Sequence, residues 1–178
     1  MGWVFTKQSG APLAISMGAA GDTYNQFGLA TPVALTAIPY DLGTATRIGN
    51  GVTYFPGYKT VPDPVIATYT TDFRSRSSLR ALADPNGNII LENPAIGTLG
   101  GLGLRPFVGP GLFDLDLNLI RTFAIRENWR FQLRADANAV TNTPQWGAPN
   151  LTLNSTSFGQ ITTSTGNRIV TVEARLSF

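Results

Sequence analysis

The sequence contains no cysteine and no histidine, so any chemistry must come from carboxylate, amide or guanidinium groups. Thiol nucleophiles, disulfides, zinc fingers and imidazole acid–base pairs are excluded at once. The first candidates are Asp114 and Asp116 in FDLDLNLIRTF. On an extended strand they point the same way about 7 Å apart, a spacing that invites comparison with the paired carboxylates of glycosidases. No second motif supports catalysis. A polar lining, opposite Arg130 and Arg134, is the better reading. Asp84-x-Asn86-x-Asn88 opens like a calcium loop, but Ile89 stands where glycine is required and Ala95 where glutamate is required. A polar turn is expected there. Arg74, Arg76 and Arg80 form a small basic patch that reads as a solvated loop face. GTLGGLG lacks the strand–helix setting of a phosphate loop. No catalytic, metal or cofactor residue is expected, and the chain reads as a non-enzyme.

Composition narrows the class. Charged residues make up 13% of the 178, about half of the roughly 25% usual in soluble domains. The formal charge of +2 is too small for a nucleic-acid surface. Nineteen glycines and twelve prolines favour turns over helical bundles. No apolar run approaches the ~18 residues of a membrane-spanning helix. The opening MGWVFTKQSG has neither the basic start nor the apolar stretch of a signal peptide.

The elements that would carry the polar residues stand out by period-two alternation. Residues 113–123 place Phe113, Leu115, Leu117, Leu119 and Phe123 on one face. Residues 129–139 do the same with Trp129, Phe131, Leu133 and three alanines, and 168–178 with Val170, Val172, Ala174, Leu176 and Phe178. These are strands with one apolar side. Their length matches the about 9–11 residues that a tilted strand needs to cross a bilayer. Only Arg121 is charged on the apolar side, near a strand end where snorkelling is cheap. The other side carries Asp114, Asp116, Arg130, Arg134, Asp136, Glu173 and Arg175. That segregation suits a barrel with lipid outside and water inside.

Connections add to the pattern. A fourth alternating stretch lies near 2–10, and the turn at 124–128 is short. Residues 12–111 and 140–167 read as long loops, the first without regular structure apart from a hairpin LRALA–DPNG–NIILE turning at Asn86-Gly87. Outer-membrane barrels have short periplasmic turns and long extracellular loops. Threaded that way, Trp3, Phe123, Trp129 and Phe178 fall at the periplasmic interface as an aromatic girdle.

At this point the residues resemble a known group. Gly109-Pro110-Gly111 leading into an Asp/Leu strand, Arg134–Asn138, Asn142-Thr143-Pro144 and Phe158-Gly159-Gln160-Ile161 are similar to the carboxyl end of TonB-dependent outer-membrane receptors. The nearest group is the Oar-like receptors with a carboxypeptidase-regulatory-like domain. GWVFTKQSGAPL resembles an earlier strand of the same receptors. The resemblance implies a 22-stranded barrel around a plug, of which this chain would supply about four strands, with Met1 an internal start or the gene truncated. It implies Leu176 and Phe178 as a terminal signal for the outer-membrane assembly machinery, with Glu173 where such signals often carry glycine. The TonB system would be reached only through the absent plug.

The expected fold is therefore all-β: a partial antiparallel transmembrane β-barrel, open, with long extracellular loops, in the bacterial outer membrane. Expected partners are outer-membrane lipid, the missing strands and plug, and the assembly machinery, with no nucleic acid. A secreted soluble β-sandwich serving as a binding or adhesin module is the alternative. A carboxylate hydrolase on a β scaffold ranks third.

Overall fold

The structure, a computed structural model, describes residues 1–18, 31–39, 41–76, 78–103 and 106–178. In chain order the strands begin with β1 (Gly2–Gln8), β2 (Pro12–Leu13), β3 (Val33–Ala34), β4 (Thr46–Ile48), β5 (Gly51–Thr53) and β6 (Lys59–Pro62). Then come β7 (Arg80–Ala83), β8 (Ile89–Glu92), β9 (Phe107–Val108), β10 (Leu112–Arg126) and β11 (Trp129–Asn138). The last are β12 (Gln145–Trp146), β13 (Gln160–Ile161), β14 (Ser164–Thr165) and β15 (Ile169–Ser177). A 3-10 turn at Pro64–Thr68 and a short helix α1 (Thr71–Arg76) interrupt them. The chain forms two compact units: Met1–Ser9 with Gly111–Gly147 and Thr163–Phe178, and Gly10–Pro110 with Ala148–Thr162.

The first unit is built on one antiparallel sheet, ordered β1-β10-β11-β15 and open at both edges. Its register decides which side chains share a face. Phe5 pairs with Leu115 and Trp3 with Leu117, Leu119 with Ala135 and Phe123 with Phe131, and Ala135 with Val172 and Phe131 with Leu176. Directly opposed residues lie on the same side of the sheet, so the apolar stripe runs unbroken across all four strands. Within this unit no second layer covers it, and Val172 is 65% exposed. A sandwich strand would have that face buried.

β10 is longer than its apolar alternation suggests. A bulge between Ala124 and Arg126 keeps it paired with β11, so the expected turn at 124–128 shrinks to Glu127–Asn128. An extra residue in one strand disturbs the alternation without ending the ladder. At the other end, Ala139 and Asn142 take φ of 50°, a left-handed conformation that bends the chain out of the sheet. Asn142 N–H closes that turn on Ala139 O at 2.8 Å.

The second unit overturns the reading of 12–111 as a structureless loop. Its described residues form a four-stranded sheet β3-β8-β7-β6, a three-stranded sheet β13-β5-β4 and a β2-β9 pair. Ile15, Leu82, Leu91, Leu102, Phe107 and Leu153 are buried in one core. The sequence hides this because strands of two to four residues are too short to show a period. Leu153 moreover comes from the second long connection. The hairpin β7–β8 is the part that the sequence predicts: Asp84 Oδ1 accepts from the N–H groups of Asn86 and Asn88 at 2.9 and 2.8 Å, and Gly87 supplies the φ of 89° that closes the turn.

Candidate functional site

The polar face of the first unit gathers the predicted lumen-facing residues. From the end with the long connections toward the Glu127–Asn128 turn, the register places Asp114, Asp116 and Asp136 first. Arg134 and Glu173 follow, paired directly, and then Arg175 opposite Gln132 and Arg130 opposite Ser177. The face is acidic at its loop end and basic at its turn end. Asp114 and Asp116 do not lie opposite Arg130 and Arg134, as the sequence suggested. They face Thr6 and Val4 of β1, while Arg134 pairs with Ile120 and Arg130 with Ala124. Strand offset, which sequence alone does not fix, is the reason.

Asp136 is the hub of this face. One oxygen accepts from Arg134 Nε at 2.6 Å, and the other accepts from Arg134 Nη2 at 3.2 Å and from the Asn118 amide. Asn118, directly opposite Asp136, was not singled out from sequence because an amide leaves no mark on a charge pattern. Asp116 Oδ1 accepts from Ala139 N–H at 2.9 Å, holding the chain where it leaves the sheet. Asp114 accepts from Leu115 N–H at 2.9 Å. Each carboxylate thus holds one backbone N–H.

The aromatic residues divide. Trp129 and Phe178 sit 5.6 Å apart between ring centres, and Phe123 stacks on Phe131 at 6.3 Å with Arg121 over its ring at 5.7 Å. These cluster at the turn end, and Leu176 beside Phe131 joins them on the apolar face. Trp3 is the exception to the expected girdle. It pairs with Leu117, six positions from Phe123 along β10, about 20 Å by strand rise. The fourth strand is offset toward the loop end.

An uncovered apolar stripe, a charged opposite face and an aromatic cluster at the short-turn end are what a lipid-facing wall requires. A family model for the outer membrane beta barrel domain matches residues 1–171. The chain belongs to that family. A search of curated proteins found no match, and neither did a search of solved structures. As an outer membrane beta barrel domain the protein resides in the bacterial outer membrane, which it crosses with strands; among the described residues no helix is long and apolar enough to do so. The four strands of this barrel domain form a segment of wall, since the smallest bacterial barrels have about eight.

Other candidates in the barrel domain are engaged in local contacts. For the Asp84 carboxyl, desolvation acts upward, but hydrogen bonds from Asn88 and Asn86 outweigh it and hold the group below the ordinary range. Its oxygens are engaged by the turn, and no cluster of potential metal ligands occurs among the described residues. In GTLGGLG, Leu102 joins the core. The basic patch disperses: Arg74 Nε donates to Tyr69 O at 2.7 Å and Arg80 Nη1 to Thr60 Oγ1 at 3.2 Å, while the Arg76 side chain lies outside the described residues.

Sequence reasoning missed a buried polar network in the second unit. Asp63, 2% exposed, accepts from Val65 N–H, Asn93 N–H and Asn93 Nδ2 at 2.8, 2.7 and 2.6 Å. Asn154 Nδ2 donates to Asn93 Oδ1 at 2.9 Å and to Met17 O at 2.8 Å, and Asn154 Oδ1 accepts from Arg80 N–H at 2.7 Å. Polar residues scattered along loops give no pattern, so only the fold brings these together.

Proposed function

We propose that the chain is the carboxyl-terminal barrel segment of a TonB-dependent outer-membrane receptor of the Oar-like group, a wall of an energised uptake channel rather than an enzyme. The continuous apolar stripe set by the register of four strands carries the barrel half of this reading. The receptor half is supported by the resemblance of Gly109-Pro110-Gly111, Asn142-Thr143-Pro144 and Phe158–Ile161 to that group. It is also supported by where those motifs work. Gly10 and Gly109, from the two matching stretches that flank the first long connection, meet backbone to backbone, and a Cβ on Gly10 would stand 1.7 Å from Gly109 O.

In this reading the graded polar face lines the lumen and faces the plug. The long connections meet ligand outside the cell, and Leu176 and Phe178 address the chain to the assembly machinery. Asp114 and Asp116 serve the wall, each with one oxygen accepting from a backbone N–H.

Reading the gene upstream of Met1 tests the proposal. Further barrel strands preceded by a plug and a TonB box are expected. A complete barrel of eight or more strands with no plug would overturn it.

A further inference from the structure

The second unit contains a cleft of about 790 Å³, within the roughly 300–1,000 Å³ of small-molecule sites. Both long connections build it, 48–59 from the first and 158–162 from the second. Its floor is apolar: Phe55 and Ile161 are buried, and Phe158 stacks on Phe55 at 5.3 Å with ring planes 10° apart. The walls are held in place before any ligand arrives. Tyr54 N–H donates to Gly159 O at 2.7 Å, Gly159 N–H to Asn150 O at 2.7 Å, and Asn150 N–H to Gln160 O at 2.9 Å.

The rim sets the chemistry. Asn50 and Gln160 offer amide groups, and Lys59 is exposed. Among the described residues lining the cleft no carboxylate occurs, so Lys59 is the only charge. A cationic ligand finds no counter-charge there, and a multiply charged anion finds only one. A flat ring body laid on the half-buried Phe158, which Phe55 backs from beneath, with one acidic group reaching Lys59 satisfies both parts of the surface.

We propose that this cleft binds a small monoanionic ligand with a flat apolar body, of the aryl carboxylate class. The proposal gives a ligand class to the extracellular side of the receptor and rests on the reading above for its physiological meaning.

The test titrates the 15N-labelled full chain, in zwitterionic micelles, with benzoate, benzyl alcohol and benzylammonium. Saturable amide shifts at Val52, Lys59 and Gln160 are expected with benzoate. Benzyl alcohol should bind about tenfold more weakly, and benzylammonium should give no saturable shift. Lys59→Gln, an exposed change compatible with folding, should weaken benzoate about tenfold and leave benzyl alcohol unchanged. Absence of saturable shifts at these amides overturns the proposal, and so does equal benzoate affinity in Lys59→Gln. Because binding is read at the cleft itself, a missing plug upstream would sink the receptor reading and leave this result standing.

Discussion

The side-chain amide of Gln145 pairs with both backbone groups of Phe113. Gln145 Oε1 accepts from Phe113 N–H at 2.9 Å, while Nε2 donates to Phe113 O and, at 3.1 Å, to Thr143 O. The β10–β11 ladder runs from the turn only as far as Leu117–Ala137, and Val140 N–H reaches Leu115 O at 2.8 Å beyond it. Gln145 thereby caps a strand whose neighbour has turned away, and it silences unpaired groups that would otherwise invite other chains.

Gln145→Ala should therefore speed hydrogen exchange at Phe113. Two net hydrogen bonds correspond to about 1–3 kcal/mol of local opening free energy. Gln145→Glu keeps the acceptor but loses the donor, so its effect should be intermediate. Unchanged exchange at Phe113 in both variants would show that the cap contributes nothing.

The two faces of the sheet should respond oppositely to charge. Ala135 lies mid-sheet between Leu119 and Val172 on the apolar face. Ala135→Arg should destabilise the membrane-inserted state by about 2–4 kcal/mol. Thr171→Arg, on the polar face opposite Asp136, should cost about 1 kcal/mol or less. Denaturant unfolding from lipid vesicles measures both, and equal losses would reject the assignment of faces.

The contrast between legible and illegible parts has a physical basis. Long strands with one apolar side advertise themselves, because every second residue from Phe113 to Phe123 or from Val170 to Phe178 answers to the same solvent. Register does not, since Trp3 paired with Leu117 and Trp3 level with Phe123 are equally compatible with the alternation. The second unit was invisible for a further reason. Its core assembles Ile15, Leu82, Phe107 and Leu153 from places far apart in the chain, and its strands are too short for a period to develop. Gln145 and Asn154 act through single amides whose partners only the fold supplies.

Gly159 has a steric role that its neighbours make testable. Its φ is 77°, and a Cβ there would lie 3.1 Å from Phe55 Cδ2. Gly159→Ala should lower the stability of the second unit by about 1–3 kcal/mol. Gly49, at φ 59° with nothing within 4 Å of a Cβ, carries the backbone cost alone, so Gly49→Ala should be milder. Denaturation followed by tyrosine near-UV circular dichroism compares them, and equal losses would show that contact with Phe55 is irrelevant.

Glu92 makes stability depend on pH. Burial, and secondarily the Asp63 carboxylate, hold its carboxyl above the ordinary range. A folded-state value above the unfolded one means that the folded chain binds the proton more tightly. Stability then falls as pH rises from about 4.3, the ordinary glutamate value, through the raised value. Glu92→Gln should accordingly raise the melting temperature at pH 7 and leave it nearly unchanged at pH 3. A variant equally or less stable than the parent at pH 7 would refute this assignment.

Asn154 joins the two stretches of the second unit. Its side chain serves Met17 O, Asn93 and Arg80 N–H together, and Asn93 in turn serves the buried Asp63. Asn154→Leu keeps the number and branching of side-chain heavy atoms but strands several of these groups away from water at about 1–3 kcal/mol each. A loss of at least about 3 kcal/mol is expected, well beyond the effect of a surface substitution. Asn93→Leu should cost a similar amount, and the double variant should cost less than the two losses added, because each single change already disables the shared network. Denaturant melts of the four proteins provide that cycle, and additive losses would show that Asn93 and Asn154 act independently.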